Sequence, residues 1–172
     1  MRRRISLALL ALAIGLGVPA AAWAASASDP IDTLGKLDLR SFKVTRSASE
    51  ILTVTVRTWD SWQKTILPAT GSPNRLFVLF NTDADGSAEY KARIVNLGGS
   101  LVALLSGQGQ QFEPIPVTRP SDTQARFVFP ADVLVDADED LGVAVRSIYQ
   151  GGLCSASCID RAPNTGWVTV PA

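Results

Sequence analysis

A chain of 172 residues, 47% hydrophobic and 19% charged, has material for one well-formed core and too little for two ordinary domains. Its formal charge is zero, and without Arg2, Arg3 and Arg4 it has thirteen basic against sixteen acidic side chains, which argues against binding nucleic acid through phosphates. It has no histidine, which removes Ser-His-Asp and Cys-His catalysis and the usual histidine-bearing zinc, copper and iron sites.

The N-terminus reads as a secretory signal peptide over residues 1–24. Met1 to Arg4 is a positive n-region, Ile5 to Val18 is an apolar run, and Ala22-Trp23-Ala24 carries small residues at the spacing of a cleavage site, so cleavage is expected after Ala24. The run is about 14 residues long, short of the roughly 20 that span a bilayer as a helix, so no stable membrane anchor is expected. Residues 25–172 form the single domain, expected to be secreted and extracellular.

The segment Ser26–Lys36 is polar, with Asp29-Pro30 and Gly35, and its register is not fixed by the pattern. Leu37, Leu39, Phe42 and Val44 form a strand whose phase changes between Leu39 and Phe42, the mark of a bulge. Leu52, Val54 and Val56 alternate with Thr53, Thr55 and Arg57 as a half-buried strand. After a long loop from Asp60 to Asn74, the unbroken apolar run Leu76–Phe80 suits a strand covered on both faces. Tyr90, Ala92 and Ile94 alternate with Glu89, Lys91 and Arg93 on its returning partner. Gly98-Gly99 makes a tight turn into Leu101–Leu105. Phe112–Val117 contains Pro114 and Pro116 and is expected at an edge. Ala125, Phe127 and Phe129 form a further strand, Val133–Val135 a helical turn before the acidic run 136–140, Leu141–Ser147 another strand, and Trp167–Val170 closes the sheet.

Cys154 and Cys158 are the only cysteines, and after export they are expected to form a disulfide. Residues four apart in an extended strand are about 13 Å from each other, against roughly 4.4–6.8 Å in a disulfide, so the chain must turn between Leu153 and Ile159. Two thiols without a histidine lack the remaining ligands of a zinc site. Eight or nine short strands separated by Gly and Pro turns, with no sustained helical periodicity, give an all-β fold: an antiparallel β-sandwich of jelly-roll or Ig-like type with one short helical turn, a small barrel being the rival.

The hairpin tip is the first candidate site. Asn81, Asp83 and Asp85 alternate, Gly86 follows, and Glu89 comes three residues later, like the first half of a calcium loop. Position twelve of such a loop is Ala92, so the bidentate glutamate is missing, and the competing reading is a tight turn built on Asp85-Gly86. The second candidate is aromatic. Trp59, Trp62, Tyr149 and Trp167 fall at strand ends or in loops, where they stack on a sugar face or cap the core. Carboxylate catalysis of the glycosidase type needs two facing acids, and among Asp60, Glu89, Glu113 and the 136–140 run no spacing selects a pair. Leu67–Gly71, LPATG, matches a cell-wall sorting signal, but about 100 residues follow it, so the match is read as coincidence.

Three stretches, DPIDTLGKLDLRSFKV, RLFVLFNTDADGSAEY and CSASCIDRAPNTGW, resemble in layout the family-nine carbohydrate-binding modules and their DOMON relatives. That resemblance implies a β-sandwich that binds sugars or haem. Met1 is the only methionine and there is no histidine, so the axial ligands of an electron-transferring haem are absent, and no haem is expected. The expected function is a non-catalytic extracellular binding or accessory module for a surface glycan or protein, with calcium at the hairpin. The alternatives are a structural or protein-interaction domain without a small ligand and a carboxylate-dependent glycosidase.

Overall fold

The computed structural model describes residues 23–108, 110–111, 114–130, 133–134 and 140–171. In chain order the strands are β1 (Trp23–Ser28), β2 (Leu39–Arg46), β3 (Leu52–Thr58), β4 (Arg75–Asn81), β5 (Tyr90–Leu97), β6 (Ser100–Gly107), β7 (Gln110–Gln111), β8 (Ile115–Ser121), β9 (Gln124–Phe129), β10 (Leu141–Gly151), β11 (Cys154–Ala162) and β12 (Val168–Val170). One 3₁₀ turn, Lys64–Ile66, lies in the long loop before β4. All the strand pairings are antiparallel, and they run in the order β1-β2-β3-β9-β8-β6-β5-β4-β10-β11, with β12 beside β10 and β7 beside β6.

The path forms two facing layers because β8 belongs to both. Ile115 and Pro116 pair with β6, while Val117 onward pairs with β9. Each part of β8 is thus paired on one side only, as the edge expectation had it, and Pro116, which has no N–H to give, sits where the strand leaves one layer for the other. Phe112 and Glu113 lie outside the described residues. At the far ends of the path, β11 and β12 come against β2 and β1, so the layers nearly close into a barrel.

Alternation builds the core. Phe42 and Val44 of β2, Leu52, Val54 and Val56 of β3, and Ala125, Phe127 and Phe129 of β9 point inward from one layer. Leu76, Val78, Phe80, Tyr90, Ala92, Ile94, Leu141, Val143 and Val145 point inward from the other. Phe80 meets Phe129 edge-on at 5.0 Å between the layers, a geometry that adds to the burial of both rings. The phase change in β2 is a bulge: Leu39 opposes Thr58, and Ser41 opposes Arg57. Gly98 (φ 58°) and Gly99 (φ 89°) form the two-residue turn that joins β5 to β6.

Two expectations about coverage change. β4 is covered on one face only: Leu76, Val78 and Phe80 are fully buried, whereas Phe77 and Leu79 are half-buried on the outer face. Leu67 of the LPATG stretch is fully buried and its carbonyl accepts a hydrogen bond from Asn96 N, so that motif is part of the fold. Val133 N–H turns back to the Pro130 carbonyl, while Val135, Asp136, Asp138 and Glu139 lie outside the described residues.

Candidate functional site

The hairpin tip uses its own oxygens. Asn81, buried at the end of β4, accepts from Ala84 N at 2.7 Å; Asp83 accepts from Asp85 N at 3.1 Å; Asp85 accepts from Ser87 N at 2.6 Å. Glu89 reaches back across the loop to accept from Thr82 N at 2.8 Å. Asp83, Asp85 and Glu89 bring carboxylate oxygens within 4.8 Å of one another, with both aspartates exposed to water. Side-chain acceptors of this kind close a turn on themselves, and the same three carboxylates lie close enough to share a cation.

The four aromatic candidates are not one platform. Trp62 is buried under the long loop, with Arg119 stacked on it at 4.7 Å, and thus caps the core. Trp59 is partly exposed beneath Arg40 at 4.9 Å, next to the β2 bulge. Tyr149 packs against the core and against Gly35, where a Cβ would lie 2.2 Å from the ring; with φ at +122° that position requires glycine. Trp62 also borders a depression with Lys36, Gln63 and Arg119, and Trp167 stands beside another, where Gly142 makes its close approach to β10 possible.

That depression, about 380 Å³, lies on the outer face of the second layer. Directly opposed residues in antiparallel strands share a face, and the register sets Arg93, Phe77, Arg146 and Arg161 in one row across β5, β4, β10 and β11. The neighbouring rows hold Lys91, Leu79 and Ala144 on one side and Arg75, Ile148 and Ile159 on the other. Phe77, Leu79 and Ile148 form an apolar floor, Trp167 a wall, and the hairpin tip at Gly86 and Ala88 a rim. These rows carry five cations and no acid. Burial, and then the neighbouring Arg146 charge, push Arg161 below the usual arginine value. Arg161 is held in place by the Pro163 and Gly166 carbonyls, each at 2.6 Å, and by the Trp167 ring at 5.2 Å.

A second acidic group lies where β11 meets β2. Asp29 and Asp32 come from the loop after β1, Asp38 precedes β2, and Asp160 points inward from β11. Their carboxylate oxygens lie within 4.8 Å of one another, and all but Asp32 are buried. Asp160 accepts from Leu39 N and Arg161 N, both at 2.6 Å. With its amide nitrogen turned inward, Asn164 donates to Asp29 Oδ1 at 2.8 Å and to the Arg161 carbonyl at 2.7 Å. Asp29 Oδ2 and Asp38 Oδ1 are buried with no hydrogen-bond partner among the described residues. Burial, and then the charge of Asp160, raise both Asp29 and Asp38 to about 7.

Sequence reasoning passed over this group because Asp29 and Asp32 sit in a polar entry segment, Asp38 lies between the apolar Leu37 and Leu39, and Asp160 lies far along the chain. The available signal was Asp160 itself: it falls at the inward register of a strand, between Ile159 and Arg161 that face out. The disulfide Cys154–Cys158 is formed, with Cα atoms 5.8 Å apart. The turn it needs is a bulge: Tyr149 opposes Cys158 and Gly151 opposes Cys154, so Ser155, Ala156 and Ser157 all stand against Gln150. No family model, curated protein or solved structure matches this chain.

Proposed function

We propose that this chain is an exported, non-catalytic binding module whose ligand is a glycan bearing acidic groups, held on the outer face of the second layer. The observation that carries the reading is the row Arg93, Phe77, Arg146 and Arg161, flanked by Lys91, Leu79, Ile148 and Trp167. An apolar floor with one aromatic wall suits the C–H face of a sugar ring, and guanidinium forks suit a carboxylate or sulfate on it. Arg146 forms no ion pair among the described residues, so its charge is available to a ligand. The leader-like N-terminus and the disulfide support export.

A non-catalytic role is supported by the absence of histidine and by the spacing of the acids. The oxygens of Asp29, Asp38 and Asp160 are buried within 4.8 Å of one another, closer than the roughly 5–9.5 Å that two glycosidase carboxylates leave for a sugar. The reading is tested on a glycan array with the purified protein at low and high salt. Acidic glycans are retained, neutral ones are not, and raised salt weakens retention; Arg146→Gln lowers affinity about tenfold, the loss of one charge-assisted pair, without changing the melting temperature. Equal retention of neutral glycans by wild type and variant, or no retention at all, would sink it and leave a structural domain as the better description.

A further inference from the structure

We infer that Asp29, Asp32, Asp38 and Asp160 bind a calcium ion that joins the two ends of the strand path. The inference is independent of the glycan reading, because the site lies in the seam between the layers and uses none of the residues of the outer face.

Geometry makes the first argument. Calcium takes six to eight oxygens at about 2.3–2.6 Å, so oxygens on opposite sides of the ion are about 5 Å apart. One oxygen from each of these four carboxylates fits inside that sphere, since all lie within 4.8 Å of one another. The second argument is independent of the clustering. Asp29 and Asp38 are each 4% exposed, both side chains face Asp160, and Asp29 Oδ2 and Asp38 Oδ1 are buried with no hydrogen-bond partner among the described residues. Ser147, opposite Asp160 across the β10–β11 ladder, is likewise buried with an unpartnered hydroxyl. A buried acceptor without a donor is costly, and two such carboxylate oxygens in one cluster, with an unpartnered hydroxyl across from it, call for a cation.

No protein cation meets this need: among the described residues no lysine or arginine is ion-paired with any of the four aspartates. Arg161, adjacent in sequence to Asp160, sends its guanidinium to the opposite face. The donor set is all hard oxygen, which selects calcium, magnesium or manganese over zinc or copper. Magnesium demands a near-ideal octahedron and keeps several waters, whereas calcium accepts an irregular cage of protein carboxylates. The ion bridges Asp29, Asp32 and Asp38 on the first layer's side to Asp160 on β11, where no ladder joins the layers.

The test uses the purified protein stripped with chelator and titrated with calcium chloride, read by calorimetry and by thermal melting. One calcium ion binds per chain and the melting temperature rises. Asp32→Asn changes an exposed ligand that the fold does not need, and it weakens calcium binding about tenfold or more. The double variant Asp83→Asn, Asp85→Asn binds calcium with unchanged affinity. The inference is overturned if stripped wild type shows no calcium heat and no shift in melting, if Asp32→Asn binds as wild type does, or if the hairpin variant loses binding.

Discussion

The molecule carries two groups of carboxylates that are alike in composition and opposite in surroundings. At the hairpin tip, Asp83, Asp85 and Glu89 accept hydrogen bonds from backbone N–H groups of their own loop, and both aspartates are exposed. In the seam, Asp160 is satisfied by Leu39 and Arg161, but Asp29 and Asp38 each keep a buried oxygen with no partner among the described residues. Close carboxylates in water repel weakly because the solvent screens them. The same spacing out of water becomes an unmet demand for positive charge. The motif that resembles a calcium loop spends its oxygens on its own amides, and the group without a motif is the one with buried oxygens left unpartnered among the described residues.

The contrast can be broken in several ways, beginning with the largest expected effect. In chelator, Asp29 and Asp38 have folded values near 7 against an ordinary value of 3.8. Between these values the folded chain holds protons that the unfolded chain has released. Their contribution to stability is therefore full below about pH 4 and is lost as pH rises to about 7. Urea melts of the chelated protein across that window are expected to show the fall, and the double variant Asp29→Asn, Asp38→Asn to show little of it. A chelated wild type that gains stability over the same range would contradict the description of the seam.

Next in size, Asp160→Ala removes the acceptor of one buried and one part-buried N–H group, those of Leu39 and Arg161, and is expected to destabilise by about 3 kcal/mol in denaturant melts. Glu89→Ala frees a single loop amide, Thr82 N, and is expected to cost about 1 kcal/mol. Equal costs would erase the distinction between the two groups. Smaller than the seam effect is that of the disulfide: replacing Cys154 and Cys158 by serine opens a loop of sequence separation 4 and is expected to cost about 2 kcal/mol, with the all-β circular-dichroism spectrum retained.

How legible these features were depends on the range over which their causes act. The strand at Leu52, Val54 and Val56, the bulge after Leu39 and the turn at Gly98-Gly99 are local consequences of alternation and backbone freedom, and the structure has each of them. Pro116 told only half: it marks a position paired on one side, as expected, without revealing that the strand changes layer there. The run Leu76–Phe80 misled, since apolar residues on both faces do not reveal that one face becomes the floor of a basic depression. The seam was least legible of all. Leu39 and Asp160 are 121 residues apart, and only closure of the strand path brings them together.

The bulge in β11 bears on the chain's behaviour at high concentration. Among the described residues β11 ends the strand path with β10 as its only ladder partner, and an open strand edge is a template on which a second copy can add its own strand. Ser155, Ala156 and Ser157 crowd opposite one residue, and the cystine holds them there, so the edge loses the straight repeat of donors and acceptors that such an addition requires. Leu153 and Ile159, both exposed beside this bend, would otherwise be the apolar flanks of a fibre-forming edge. The cross-link then guards solubility more than it guards the fold.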